Sequence, residues 1–281
     1  YEHWVRFDPG TLNVKAETRP PLRLTADDFQ EMHDALLARY RGHGAVNITP
    51  AEFTKGELIW DSKGFGLGYR DGKDGKLSHF LWGSAKGEHG PYRVSFLAYQ
   101  NSQQFIELMA LLKNIGDQVR TIRMREPAHV QLHDFIVQPF RRQIVSEKTE
   151  QSTGTHATAY WQMRILDLAA CLAQTHLPGT DLRFNLALTD PIERFLDEDA
   201  SWRGISGDYV ITLGENSSAE PGSDGSLPTL TASVGAFTRL WLGVRPATGL
   251  AITDELNGPE ELLAALDRAF CLPAPHPDWD F

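Results

Sequence analysis

The chain has 281 residues, 41% of them hydrophobic and 23% charged, and its 37 acidic and 27 basic side chains leave a net charge of -10. This is the composition of a globular protein long enough for two cores, and it excludes disordered and fibrous classes. The negative balance speaks against a nucleic-acid partner and suits solubility or a cationic ligand.

The longest apolar runs, such as Phe105 to Leu112, fall far short of the ~20 residues a membrane span needs, and no signal peptide is visible, so a cytosolic protein is expected. Cys171 and Cys271, the only cysteines, sit in apolar helical patterns and read as two reduced core thiols. The chain opens at Tyr1 and runs directly into an aromatic, strand-like EHWVRF, which reads as a piece of something longer.

A run rich in Pro, Gly, Thr and Asn follows, leading to Leu22-Arg23-Leu24. Thr25-Ala26-Asp27-Asp28 has the form of a capping box with aspartate in place of glutamate. Phe29, Met32, Leu36, Leu37 and Tyr40 then recur at helical spacing, with Gly42 and Gly44 as the stop. A second helix is predicted from Thr49-Pro50. Phe65–Tyr69 and Leu77–Trp82 flank the turn-rich RDGKDGK as a hairpin, and Tyr92–Tyr99 is another strand. A helix over Ser102–Ile115 and a strand over Val119–Met124 complete one α+β layer. Between Gln143 and Thr158 the sequence turns polar (SEKTEQSTGTHAT), as a linker does.

Beyond it, Trp161–Leu166 alternates, and Asp167 is placed to cap a helix carrying Leu168 and Leu172. Leu182–Leu188, Tyr209–Leu213 and Leu227–Thr231 predict an antiparallel meander, with Glu215–Ser226 as a polar loop. Ser233 caps a helix with Phe237, Leu240 and Trp241 that stops at Gly243. Pro259 opens a last helix whose Leu262, Leu263, Leu266 and Phe270 form one stripe. The tail, AFCLPAPHPDWDF, alternates proline with apolar residues and reads as a stiff arm whose Trp279 and Phe281 either are anchored in a groove or, as composition favours, cap the domain's own core.

The order of these parts carries a resemblance. WxxRILDLxACLA, SVGAFTRLWLG, GPEELLAALDRAF and a proline-bearing tail ending in phenylalanine are similar to the C-terminal region of Eis-type acetyltransferases. The resemblance implies an α+β chain: a GNAT-like mixed sheet with helices, followed by a sterol-carrier-protein-like α+β domain. On this reading residues 1–19 are the end strand and linker of a preceding GNAT domain. Residues 20–145 are a second GNAT-like domain, and 146–281 the sterol-carrier-like domain with its tail. The implied activity is N-acetyl transfer from acetyl-CoA to a small amine, polycationic amines included. The cofactor would be bound by the preceding domain, with no cofactor-binding residue in this chain. The resemblance also implies that the Phe281 α-carboxylate is the base for the substrate amine; Trp279 is a candidate substrate-binding residue because it stands next to the tail's end. An ammonium must lose a proton before it can attack, and a carboxylate of low intrinsic pKa serves either after desolvation or through a relaying water.

Other constellations carry less. Arg39-Tyr40-Arg41-Gly42-His43-Gly44 fits an R-x-x-G-x-G phosphate signature, but its glycines close a helix instead of opening one, so they present carbonyls where a phosphate needs amides. Gly64-Phe65-Gly66-Leu67-Gly68 enters a strand and reads as a tight strand edge or a bulge. His129 and His133 would suit a metal only on a helix, and no metal is expected. Trp60, Trp82, Trp161, Trp202 and Trp241 read as core or interface residues, and Asp278 and Asp280 as solvated. Two other function classes compete with the enzyme: a lipid- or sterol-carrying module, and a non-catalytic domain that assembles homo-oligomers. A homo-oligomer is expected on the enzyme reading as well.

Overall fold

The structure, a computed structural model, describes residues 2–40, 45–46, 50–60, 62–137, 154–158 and 162–277. It is α+β with two mixed sheets, one in each of two compact units. The first unit comprises residues 1–161 and 276–281, the second residues 162–275.

In the first unit, β1 (Glu2–Phe7) leads through a proline-rich connection to β2 (Leu22–Leu24). The connection is tied down by its polar groups: Lys113 Nζ donates to the Val14 carbonyl at 3.0 Å and Asn114 Nδ2 to Thr18 Oγ1 at 2.6 Å. The capping box forms as the sequence indicates, with the Asp28 carboxylate accepting from the Thr25 amide at 2.7 Å. It opens a short 3-10 turn that continues into α1 (Phe29–Leu37). β3 (Ala45–Val46), α2 (Ala51–Trp60) and the hairpin of β4 (Gly64–Arg70) and β5 (Leu77–Ala85) follow, with Gly72 and Gly75 at positive φ in the turn. Then come β6 (Tyr92–Ala98), α3 (Ser102–Asn114), β7 (Ile122–Arg125) and β8 (Gly154–Thr158). The stop at Gly42 and Gly44, the Thr49 cap and most of the polar stretch before Thr158 lie outside the described residues.

The seven strands run β2-β4-β5-β6-β7-β1-β8. β6 and β7 are parallel, joined by the α3 crossover as a parallel pair requires, and the other pairs are antiparallel. β1, read from sequence as the end strand of a preceding domain, lies inside this sheet between β7 and β8. β8 falls in the stretch read as a linker. Its polar, exposed residues carry no alternating pattern, and its pairing with β1 defines it.

Each face of the sheet has its own core. Val5, Phe7, Leu81, Val94, Ile122 and Met124 pack with Phe105, Leu108, Met109 and Leu112 of α3. On the opposite face Phe80, Trp82, Phe96 and Ala98 pack with Met32 and Leu36 of α1 and Leu58 of α2. A bulge in the β5–β6 pairing, where Trp82 opposes Phe96 but Gly83 opposes Val94, switches β6 from one face to the other. The glycines of β4 permit close packing: a Cβ on Gly66 or Gly68 would lie 2.9 Å from the side chains of Leu24 and Trp82, or Leu77 and Phe80.

The second unit begins with Gln162–Ile165, where the predicted alternating strand is absent. Asp167 Oδ1 then accepts from the Ala170 amide at 2.9 Å and caps α4 (Leu168–Ala173). β9 (Leu182–Thr189), β10 (Gly207–Leu213), β11 (Ser218–Pro221) and β12 (Thr229–Ser233) follow. Ser233 caps α5 (Val234–Trp241), and α6 (Ala247–Thr253), β13 (Leu256–Asn257) and α7 (Glu260–Ala269) complete the unit. Gly243 stops α5 at φ +67°, where a Cβ would meet Leu272 at 2.8 Å.

Strand order is β11-β10-β9-β12-β13, and two expectations are corrected here. β12 runs parallel to β9, so the sheet is mixed and not a simple meander. The loop read at Glu215–Ser226 contains β11, because its backbone pairs with β10 although its side chains carry no strand pattern. Phe184, Leu186, Ile211, Leu213 and Leu230 form the core with Leu172, Phe237, Leu240 and Leu266. Finally β14 (His276–Pro277) pairs parallel with β3, placing the start of the tail in the first unit.

Candidate functional site

The part of the tail that is described ends at Pro277, and Arg125 holds it there: Nη1 donates to the Pro277 carbonyl at 2.8 Å. Phe281 and Trp279, the two site residues read from sequence, lie outside the described residues, as do Asp278 and Asp280. Arg125 is the last residue of β7, buried and stacked against Trp4 of β1.

The tail therefore arrives beside a cluster that the sequence reading passed over. Register makes it. Trp4 opposes Arg125, Arg6 opposes Arg123, and on the next strand Arg93 opposes Arg123. Because alternate residues of a strand point to opposite faces, Val5, Met124 and Ile122 enter the α3 core while Trp4 and the arginines stand on the other face. The guanidinium carbons of Arg123, Arg93 and Arg125 lie 4.5, 5.0 and 5.3 Å from the centre of the Trp4 ring, within cation–π range. β8 adds His156 opposite Trp4 and Gly154 opposite Arg6. Trp4, Arg6, Arg123, Gly154, Thr155 and His156 line a cavity of about 320 Å³. Burial lowers the pKa of Arg123, and the adjacent charges of Arg93 and Arg6 lower it further. The sequence did carry a signal: Trp-x-Arg in β1 and Arg-x-Arg in β7 both have the two-residue period that puts like side chains on one face.

A second charged cluster sits on the α3 face. His79 has no exposed side-chain surface; its Nε2 lies 3.1 Å from Glu107 Oε2, and because a carboxylate only accepts, the proton is on Nε2. Its Nδ1 faces Ser78 Oγ at 2.9 Å and Asp71 Oδ2 at 3.6 Å. Arg19 bridges Glu107 and Asp71 at 2.9 Å each, and Gln104 donates to Asp71 at 3.0 Å. Tyr69 stacks on His79, and burial pushes its hydroxyl up to about 12. All polar members are satisfied by one another, and the network ties the proline-rich connection to the hairpin and to α3.

The remaining sequence candidates separate. Arg39 Nε donates to the Leu36 carbonyl at 2.6 Å, so it satisfies the C-terminal end of α1; residues 41–44 of the phosphate-like signature lie outside the described residues. What is described of that segment does not fit a cofactor pyrophosphate, which needs helix N-terminal amides. His129 sits at φ 62° outside any helix and His133 in a 3-10 turn, so they lack the helical spacing a shared metal would use. Among the described residues no group of three or more His, Cys, Asp or Glu is arranged for a metal, and no helix is long and apolar enough to cross a membrane. Cys271 is exposed just past α7, which corrects its reading as a core thiol; Cys171 is half-buried. Trp82 is buried as read, but Trp60 is 88% exposed at the end of α2. Trp202 is also exposed, Trp241 is half-buried, and Trp161 lies outside the described residues.

No family model matches this sequence, and no curated protein does. Solved structures do match. A probable N-acyltransferase of unknown function from Enterococcus faecalis V583 aligns with all of this chain and 66% of its own, at TM-score 0.74 and 18% identity. A GCN5-related N-acetyltransferase from Kribbella flavida aligns with all of this chain and 64% of its own, at 0.66 and 18%. Eis1 from Mycobacterium abscessus aligns with all of this chain and 68% of its own, at 0.67 and 14%. The chain thus spans about two thirds of the length of these relatives, and over its whole length it has the fold of the corresponding portion of GNAT acetyltransferases.

Proposed function

We propose that this chain is the C-terminal portion of a GNAT-type N-acetyltransferase that transfers acetyl from acetyl-CoA to a small amine. The observation that carries the reading is the alignment of the entire chain, both sheets included, with solved N-acetyltransferases. Acetyl-CoA is assigned to a part of the enzyme outside this chain, as the resemblance to Eis-type acetyltransferases implies. This chain contributes the substrate side, and the Phe281 α-carboxylate serves as the base. Its reach is supported by the anchoring of Pro277, four residues earlier, on Arg125. The carboxylate takes one proton from the substrate ammonium, directly or through one water, leaving a neutral amine whose lone pair attacks the acetyl group. Trp279 walls the amine's pocket, and polycationic amines suit the acidic protein.

The test is acetyl transfer by the full-length protein to a panel of mono- and polyamines. Wild type acetylates at least one of them, and appending two glycines after Phe281, which displaces the carboxylate, lowers kcat about 10²-fold, the lower end of what a general base contributes. Absence of transfer to every amine overturns the enzyme reading; transfer unchanged by the extension overturns the role of Phe281.

A further inference from the structure

Three arginines standing side by side need an explanation. Arg6, Arg123 and Arg93 occupy one row across β1, β7 and β6, each directly opposite the next. Like charges at such positions repel, and the Trp4 face beneath them offsets only part of that cost. A protein with ten more acidic than basic side chains has carboxylates to spare. Yet among the described residues no carboxylate pairs with Arg6 or Arg123. Such a row is stable when an anion sits over it.

The surroundings match a ligand. The α1–α2 cover on this face packs on β2, β5 and β6, and its cluster includes no residue of β7, β1 or β8. Over those strands the cavity of about 320 Å³ opens, close to the lower bound for small-molecule sites and larger than one phosphate group needs. Its polar lining is two guanidiniums, the exposed His156 imidazole and the Thr155 hydroxyl; among the described residues no carboxylate lines it. Gly154, opposite Arg6, leaves space at the rim: a Cβ there would meet nothing within 4 Å. Guanidinium forks pair with oxyanions in two-point geometry, and adjacent forks favour a dianionic group over a single carboxylate.

We infer that the cavity bounded by Arg6, Arg123, Trp4 and His156 is a binding site for a phosphate-bearing small molecule. Arg6 and Arg123 hold the phosphate oxygens, Arg93 supplies a third charge beside them, and the wall of β8 takes the rest of the ligand. Trp4 is 5% exposed, so it orients the guanidiniums from below and offers little ring surface for a ligand to stack on. The inference does not rest on the acetyl-transfer reading.

The experiment is calorimetric titration of the full chain at low salt with inorganic pyrophosphate and, separately, adenosine 3′,5′-bisphosphate. Wild type is compared with Arg6→Gln, Arg123→Gln and, as a control on the second unit, Arg183→Gln. Both site variants weaken whichever probe binds at least about tenfold, as loss of a charge-assisted bond does, while the control leaves it unchanged. Tighter pyrophosphate identifies a free polyphosphate as the class of ligand, and tighter bisphosphate a nucleotide. Without ligand, Arg123→Gln unfolds at the same or a higher temperature than wild type, because it relieves repulsion, so lost binding is not lost folding. The inference is overturned if neither probe binds, or if binding survives both substitutions or weakens equally with the control.

Discussion

Arg125 and Pro277 are 152 residues apart and joined by one hydrogen bond, from a buried guanidinium to a backbone carbonyl. The bond fixes the start of the tail within the first unit. Replacing Arg125 by Gln removes a charged donor and should destabilise the first unit by about 2 kcal/mol. It should also speed release of Phe281 by carboxypeptidase. Urea unfolding and a digestion time course check the two effects.

Asp190 performs a comparable task in the second unit. Its buried carboxylate accepts from Arg164, from the Ile192 amide and from the Ile205 amide. Burial alone would raise its pKa, but those donors outweigh burial and hold it below the usual range. Asp190→Ala strands Arg164 and two amides at once and should cost about 3–5 kcal/mol, read from denaturant unfolding. Asp190→Asn, which keeps the size and one acceptor, should cost less.

The network around His79 makes stability depend on pH. Burial lowers the imidazole pKa against the opposing pull of Glu107 and Asp71, so the folded protein stays neutral there after an unfolded histidine, near pH 6.5, has taken a proton. The unfolded state then binds more protons, and stability falls as pH drops below about 6.5. The Arg19 hydrogen bond holds Glu107 low. For Asp71 burial acts upward and is outweighed by Gln104 and Arg19. Both carboxylates contribute stability above their unfolded pKa of about 4 and lose it as pH falls through their lower folded values. Urea midpoints should therefore decline between pH 7 and 5 in wild type. In His79→Gln that decline should flatten, leaving the fall below about pH 4.

Gly83 sets the bulge that aims β6. A Cβ at this position would lie 2.2 Å from the Arg93 carbonyl oxygen, which backbone movement alone can relieve. Gly83→Ala should cost about 2–3 kcal/mol and displace Arg93 from its row. Thermal melting measures the first effect, and weaker binding of pyrophosphate the second.

Much of this protein is written in short windows of sequence. Thr25 and Asp28, Asp167, and Ser233 all cap helices as read, because a cap needs only a side chain within three residues of a free amide. The stripe of Leu262, Leu263 and Leu266 is buried as its period requires, since one face of a helix is fixed by spacing alone. Tertiary structure decided what spacing cannot express. β8 and β11 carry no alternating apolar pattern and are strands only because β1 and β10 offer them backbone partners. The direction of β12 beside β9 and the pairing of β14 with β3 depend on where distant chain segments arrive. The arginine row is the sharpest case. Each arginine is ordinary in its own strand, and only the register of β1, β7 and β6, set by the apolar residues that alternate with them into the α3 core, places the three charges side by side.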